Sequence, residues 1–442
     1  MKTQRSTFSS RISLFTIVLI FIGATVGCTN TTTAIAATDD NSAAPAKPTT
    51  LKDAYKDYFY IGCAVNRLIT TGRVDVQADN ANRTQEQLEK DIALVKTQYN
   101  QVVNENDLKP VLIHPNPGPD GYNFGPADAF VKFGEENNMY LVGHCLVWHS
   151  QVPNWFFEGT APVNSETPTA NAQDASAATP PAGGRRGRGS FGRRGGITGP
   201  LATREELLER MREHIHTVVD RYKGKIKVWD VVNEALADGG TETLRGTYWT
   251  QIIGPDFIAK AFEYAHEADP DAILRYNDYG LENPAKREKL KTLIKQLQEQ
   301  NVPVMAIGTQ THINARATFN QIDQELTDLE SLGLPIHITE LDLNGAQGGQ
   351  RGTRGDVAGA ASRTQGGMIS QADQQQSRAY ADLFRALVKH KDSVKVVTFW
   401  GANDAVSWQS RGRPLLFDGD DNPKPAFDAV MSVVTGEQES SN

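Results

Sequence analysis

Ile226-Lys227-Val228-Trp229-Asp230-Val231-Val232-Asn233-Glu234 decides how the chain is read. It is a short apolar run of strand length, Ile226 to Val232, that stops abruptly on an amide and a carboxylate. Seven further runs of this kind are expected as strands: Tyr58–Val65, Asn100–Glu105, Tyr140–Val147, Ala272–Tyr276, Val304–Thr309, Ile336–Leu341 and Val394–Trp400. Between them lie amphipathic stretches with helix punctuation. Thr203 and Glu206 form a capping box ahead of Leu207-Leu208, and Asn283-Pro284 supplies a cap followed by Pro at the first helical position. Strands alternating with helices imply a parallel sheet, and eight strands is the count that closes a barrel. The alternative, an open doubly wound sheet, requires a Gly-rich turn after its first strand, and Ile61-Gly62-Cys63-Ala64-Val65-Asn66 offers none. The fold class is therefore α/β, a (β/α)8 TIM barrel, with two long low-complexity insertions on its catalytic face.

A chain of 442 residues leaves room for two or three average domains, but one barrel with long loops also fits. With 39% hydrophobic and 22% charged residues it is neither disordered nor fibrous. Its three Cys, at 28, 63 and 145, cannot make a disulfide framework, and no CxxC pair points to zinc. Cys63 and Cys145 sit inside strand runs and are expected as buried thiols. The net charge of −8 argues against nucleic acid as a partner, although residues 185–194 hold five Arg and no acid.

The N-terminus reads as an export signal over residues 1–37. Lys2, Arg5 and Arg11 precede Leu14–Ile22, a run apolar except for Thr16 and too short to span a bilayer. Ala34-Ile35-Ala36 offers ordinary cleavage, whereas Gly27-Cys28 resembles a lipobox that would leave Cys28 lipidated. The product is expected to be secreted or lipid-anchored in the bacterial cell envelope. Residues 38–50 form a polar, Ala/Pro-rich linker, 51–436 a single barrel, and 437–442 a tail. Two stretches, about 159–199 and 345–371, cannot bury a core and are expected to be mobile insertions. Each follows a strand and precedes a helix, so each leaves the face where such barrels keep their active sites.

Polar groups gather at the strand ends. The second strand ends Asn104-Glu105-Asn106-Asp107-Leu108-Lys109, and the third continues from Gly143-His144 to Trp148-His149-Ser150-Gln151 and Trp155. Later strands deliver Asn233-Glu234, Asn277-Asp278-Tyr279, Gln310-Thr311-His312, Thr339-Glu340-Leu341-Asp342 and Trp400, with Trp408 just beyond. Glu234 and Glu340 lie on opposite sides of the ring. Two carboxyls facing across a cleft suit hydrolysis of a glycosidic bond, where one protonates the leaving oxygen and the other attacks the anomeric carbon or activates water. Trp planes stack on the C–H faces of sugars, and nearby amides suit their hydroxyls. Plainer readings weigh against any single residue. Glu105 is placed to pair with Lys109, Trp229 and Trp249 read as core, and His149, His214, His216 and His266 read as helix-surface or packing residues. The coincidence of polar and aromatic groups on one face outweighs these readings.

Over roughly Lys52 to Val434, less the insertions, the sequence resembles glycoside hydrolase family 10, the retaining endo-β-1,4-xylanases. The resemblance rests on Glu105-Asn106-x-x-Lys109, Gly143-His144, Trp148-His149-Ser150-Gln151-x-Pro153-x-Trp155, Trp229 to Glu234, Asn277-Asp278-Tyr279, Gln310-x-His312, Ile338 to Asp342, Phe399-Trp400-Gly401, Ser407-Trp408, Pro414 to Asp418 and Lys424-Pro425-Ala426-Phe427. It implies Glu234 as general acid/base and Glu340 as nucleophile. Asn233 would contact the sugar 2-hydroxyl, His312 would bond Glu340, and Asp342 would hold His312. Glu105, Asn106, Lys109, His144, Trp148 and Gln151 would bind sugars on the non-reducing side, roofed by Trp400 and Trp408. Gln310 would lie near the reaction centre, and Asn277 and Tyr279 near the leaving sugar. Xylan or xylo-oligosaccharides would be the substrate, with no cofactor, no metal, and a monomeric enzyme.

Three positions depart from the family pattern: Pro110 in place of Trp, Cys145 of Thr, and Met305 of Asp. None touches the two carboxyls. The competing functions are a retaining β-1,4-glucanase on the same barrel, a non-catalytic carbohydrate-binding protein, and nucleic-acid binding through the Arg/Gly-rich stretch. That stretch is also a candidate for attracting uronic acids on decorated xylan.

Overall fold

Among the residues described by the computed structural model, nine strands form one parallel sheet: β1 (Tyr60–Val65), β2 (Gln101–Asn104), β3 (Tyr140–Trp148), β4 (Ile226–Asn233), β5 (Ile273–Asp278), β6 (Ala306–Thr309), β7 (His312–Asn314), β8 (Ile336–Asn344) and β9 (Val394–Phe399). It describes residues 49–78, 82–159, 197, 199–345 and 370–436. The stretch expected as an export signal, nearly all of those expected as the linker and the two insertions, and the expected tail lie outside the described residues. Strands β1 to β6 pair in sequence, β6 pairs with β8, β8 with β9, and β9 with β1. The ring closes through eight strands, so the open-sheet alternative is excluded. β7 is the element the sequence does not announce. Three residues long, it runs beside the end of β8, with His312 opposite Asp342.

Alternation along the strands divides the side chains between two environments. Outward residues pack beneath the helices in one large core that includes Trp229 and Trp249. Inward residues Ala64, Val103, Val142, Val228 and Trp400 fill the barrel. Two residues further along the same strands, the interior turns polar. Asp230 accepts two hydrogen bonds from Arg275 (2.7 and 3.0 Å) and pairs with His144 Nδ1 at 3.0 Å. Burial raises the Asp230 carboxyl, but Arg275 and His144 outweigh it and bring it down to about 2. Burial, then the Arg275 charge, drives His337 well below its ordinary range, so its neutral Nδ1 accepts from Arg275 at 3.0 Å. The barrel is thus plugged by an ion pair beneath the face on which the strands end.

Local chemistry explains the register and the element ends. A Cβ on Gly143 would fall 2.3 Å from the Trp229 ring, so only glycine lets β3 and β4 pack at that level. The capping box of Thr203 and Glu206 starts the helix Arg204–Arg221, and Asn283 caps Pro284–Glu299 by accepting from the Ala285 N–H. Pro110 opens the helical turn Pro110–Ile113, a position that needs no N–H donor. Cys63 and Cys145 are free buried thiols.

Because both partners are buried, Arg275→Met leaves Asp230 an uncompensated charge and is expected to cost about 3–5 kcal/mol of unfolding free energy in urea melts. The double variant Arg275→Met with Asp230→Asn should recover much of that loss; a single variant as stable as the wild type would contradict this account.

Candidate active site

Strand pairing sets Asn233 beside Trp148 on one side and Asn277 on the other. The chain then turns sharply at Glu234, whose φ of 58° is left-handed. A side chain in that region costs roughly 1–2 kcal/mol. The turn is held by a hydrogen bond from the Glu234 N–H to the Asn277 carbonyl, 2.9 Å. Its carboxyl is fixed by two neutral donors, Trp148 Nε1 at 2.8 Å and Gln310 Nε2 at 3.0 Å. Across the ring, the Glu340 N–H donates to the Gln310 carbonyl at 3.1 Å. Glu340 Oε1 accepts from Asn277 Nδ2 at 3.0 Å, and Oε2 lies 3.3 Å from His312 Nε2.

Three amides join the two carboxyls. Asn233 Oδ1 accepts from Asn277 Nδ2 at 2.9 Å and from Gln310 Nε2 at 3.3 Å. Asn277 Oδ1 in turn accepts from the Thr339 hydroxyl at 2.7 Å, which orients its amide nitrogen toward Glu340. The approach of Asn277 is permitted by Gly308, where a Cβ would sit 2.3 Å from Asn277 Oδ1.

The electrostatics of Glu340 are one-sided. Burial raises its carboxyl, but the His312 hydrogen bond and the charge of His144 prevail and hold it below the ordinary range. His312 Nδ1 lies 3.0 Å from Asp342 Oδ2. Burial disfavours the imidazolium, yet Asp342 and then Glu340 raise it to about 10. Asp342 is itself buried and takes a hydrogen bond from Trp408 Nε1 at 2.8 Å. The arrangement is an ionised carboxylate backed by a cation, facing a second carboxyl held only by neutral donors.

The remaining expected residues surround this pair. Lys109 Nζ donates to Asn106 Oδ1 at 3.0 Å and lies 5.1 Å from the Trp148 ring centroid. Glu105 follows the end of β2, its N–H bonded to the Val65 carbonyl at 3.1 Å. Gln151 adopts φ 50° and accepts through its carbonyl from the Val111 N–H at 2.8 Å. The Tyr279 hydroxyl donates to Asp238 at 2.7 Å. Trp408, 53% exposed, offers an open indole face, whereas Trp400 is 8% exposed and packs edge-on to His144 at 5.3 Å.

Asn277 is completely buried and bonds Asn233 and Glu340. His149, read from the sequence as a helix-surface or packing residue, places its Nδ1 4.0 Å from Glu234 Oε2. Burial, then the charge of Arg245, lowers His149 to about 4. By contrast His214 is packing, stacked on His114 with Nδ1 atoms 3.2 Å apart. Sequence reading also missed Arg245 and Asp238, in the loop after β4 where no periodicity marks them, and Lys286, in the first turn of the helix Pro284–Glu299. Among the described residues no three of His, Cys, Asp and Glu gather as metal ligands.

The family model for glycosyl hydrolase family 10 matches residues 50–433. A β-1,4-xylanase of Dictyoglomus thermophilum is 36% identical over 85% of the chain and 89% of its own length. The exoglucanase XynX of Acetivibrio thermocellus is 36% identical over 86% of the chain but 29% of its own length. Several other curated relatives are also much longer, and the chain spans 27% to 48% of them. Among solved structures, the intracellular xylanase of Thermoanaerobacterium saccharolyticum in complex with xylotetraose is 35% identical, with a TM-score of 0.65 over 86% of the chain and 97% of that protein.

The His312 cation carries a signed consequence for pH. Its folded value near 10 exceeds the ordinary 6.5, so its stabilisation is complete below pH 6.5 and lost as pH rises toward 10. The stability advantage of wild type over His312→Gln, measured by urea unfolding at successive pH values, should therefore shrink between pH 6.5 and 10. An advantage that grows over that range would contradict the assignment.

Proposed function

The chain belongs to glycosyl hydrolase family 10, and on that premise we propose that it is an exported, retaining endo-β-1,4-xylanase that cleaves internal xylosidic bonds of xylan by double displacement. The observation that carries the reading is the asymmetry between its two carboxyls. Glu340 is held ionised against His312, and Glu234 is held by Trp148 and Gln310 across a bridge of amides. In the first step a Glu340 oxygen attacks the anomeric carbon as the glycosidic C–O bond breaks, and Glu234 gives its proton to the departing oxygen. Esterification removes the Glu340 charge from the cleft, which favours the ionised form of Glu234. Glu234 then takes a proton from water, the water oxygen bonds the anomeric carbon, and Glu340 leaves as carboxylate. Two inversions give net retention, and a retaining pair stands about 5–5.5 Å apart. No step calls for a cofactor.

Support for xylan comes from the xylotetraose bound by a mutant of the relative from Thermoanaerobacterium saccharolyticum and from the open Trp408 face. The exoglucanase among the relatives supports a second reading, β-1,4-glucan cleavage on the same barrel. Export is supported by Lys2, Arg5 and Arg11 ahead of Leu14–Ile22, with anchoring at Cys28 or cleavage near Ala36 as its two outcomes. Palmitate labelling of the expressed protein separates these.

Wild type should release reducing sugar from xylan and far less from carboxymethyl-cellulose, with the β-anomer appearing first in proton NMR. Glu340→Ala should abolish hydrolysis, and Glu234→Ala should lower it roughly 10²–10⁴-fold. A fully active Glu340→Ala would remove the mechanism, and preference for the cellulose derivative would favour the glucanase.

A further inference from the structure

After Glu234 the chain doubles back on itself. The Ala237 N–H donates to the Thr243 carbonyl at 3.0 Å, Leu236 and Leu244 form an antiparallel bridge, and the Arg245 N–H donates to the Ala235 carbonyl at 2.8 Å. This small hairpin returns the Arg245 side chain to the residue that precedes it. Arg245 Nε donates to the Glu234 carbonyl at 3.3 Å, and Nη2 donates to the Tyr279 hydroxyl at 2.8 Å and pairs with Asp238 at 3.0 Å. A planar guanidinium tied at separate atoms has one orientation available. Its partners are fixed in turn. Lys286 pairs with Asp238 at 2.9 Å and with Asp278 at 3.0 Å, and its Nζ lies 3.5 Å from the Tyr279 ring centroid. The Arg245 and Lys286 side chains are largely withdrawn from solvent, which strengthens these charge-assisted bonds.

The cluster therefore grips the Glu234 peptide at its carbonyl, while Asn277 grips it at its N–H. That peptide is in the left-handed region, where a side chain does not rest unaided. We propose that Arg245 is a positioning residue for proton transfer: by clamping the left-handed Glu234 peptide it sets the distance between the Glu234 carboxyl and the oxygen of the departing sugar. Trp148 and Gln310 orient the carboxyl once it is there, but they do not fix the backbone from which it springs. The proposal rests on the reading of Glu234 as acid/base. It predicts that Arg245 matters in proportion to how much a leaving group needs protonation, a dependence that a merely structural residue would not have. A misplacement of about 1 Å at such a group is enough for an order of 10²-fold in rate.

The test is kcat/KM, which reports the first chemical step, across aryl β-xylobiosides whose phenols range from the strongly acidic dinitrophenol to unsubstituted phenol. Wild type, Arg245→Ala, Arg245→Lys and Glu234→Ala are compared after their melting temperatures confirm folding. Arg245→Ala should lose about 30- to 100-fold with phenol as leaving group and no more than about 3-fold with dinitrophenol, a milder copy of Glu234→Ala. Arg245→Lys, which can reach the carbonyl but cannot bridge all three partners, should fall between, and it carries the test alone if the alanine variant does not fold. An equal loss with every leaving group, or no loss, overturns the proposal. If Glu234→Ala itself shows no dependence on the leaving group, the acid/base reading fails and the proposal with it; dependence in Glu234→Ala but not in the Arg245 variants overturns Arg245 alone.

Discussion

Asn277 Nδ2 donates at once to Asn233 Oδ1 and Glu340 Oε1, and the geometry of the site hangs on that shared amide nitrogen. It is the only described amide group bonded to both Asn233 and the Glu340 carboxyl, and its orientation is set from behind by the Thr339 hydroxyl. The approach is so close that the neighbouring strand must carry a glycine, Gly308, where any side chain would displace Asn277. A buried amide with both ends satisfied has no low-energy alternative, since rotating it would leave two polar groups unpaired. Rigidity at one side chain thus propagates to both carboxyls without either touching the other.

The charge layer lower in the barrel extends the same logic. Asp230 and Arg275 sit where a small barrel would ordinarily hold aliphatic side chains. Asp230 anchors His144, whose charge is among the influences holding Glu340 ionised. The layer therefore acts on Glu340 with both signs: the charge of His144 lowers its carboxyl, and that of Asp230 raises it.

The architecture was legible because the strands are short apolar runs ending on polar residues, and because Thr203, Glu206, Asn283 and Pro284 mark helix starts by their own hydrogen bonding. The paired acids were legible as well, since Glu234 directly follows β4 and Glu340 stands one residue before the end of the run expected as a strand, although β8 continues past it to Asn344. What stayed hidden depends on contacts distant in the chain. β7 is too short to show periodicity and exists because the end of β8 offers it partners. The complete burial of Asn277 and its bond to Asn233 follow from strand register, which no local pattern records. His149 reaches the site because β3 pairs with β4 so that Trp148 lies opposite Asn233, and Arg245 because the chain folds back on Glu234.

The indole of Trp408 has a half-exposed face and an N–H committed to Asp342 Oδ2, the same oxygen that lies 3.0 Å from His312 Nδ1. The platform on which a ligand ring can rest and the ion triad behind Glu340 therefore share one atom. Reshaping that platform to suit another sugar would disturb the proton inventory of the carboxylate beneath it. In evolutionary terms the two are linked traits: a lineage that exchanges Trp408 leaves Asp342 to Gln409 and His312 among the described residues, and alters the open face and the ion triad in the same move.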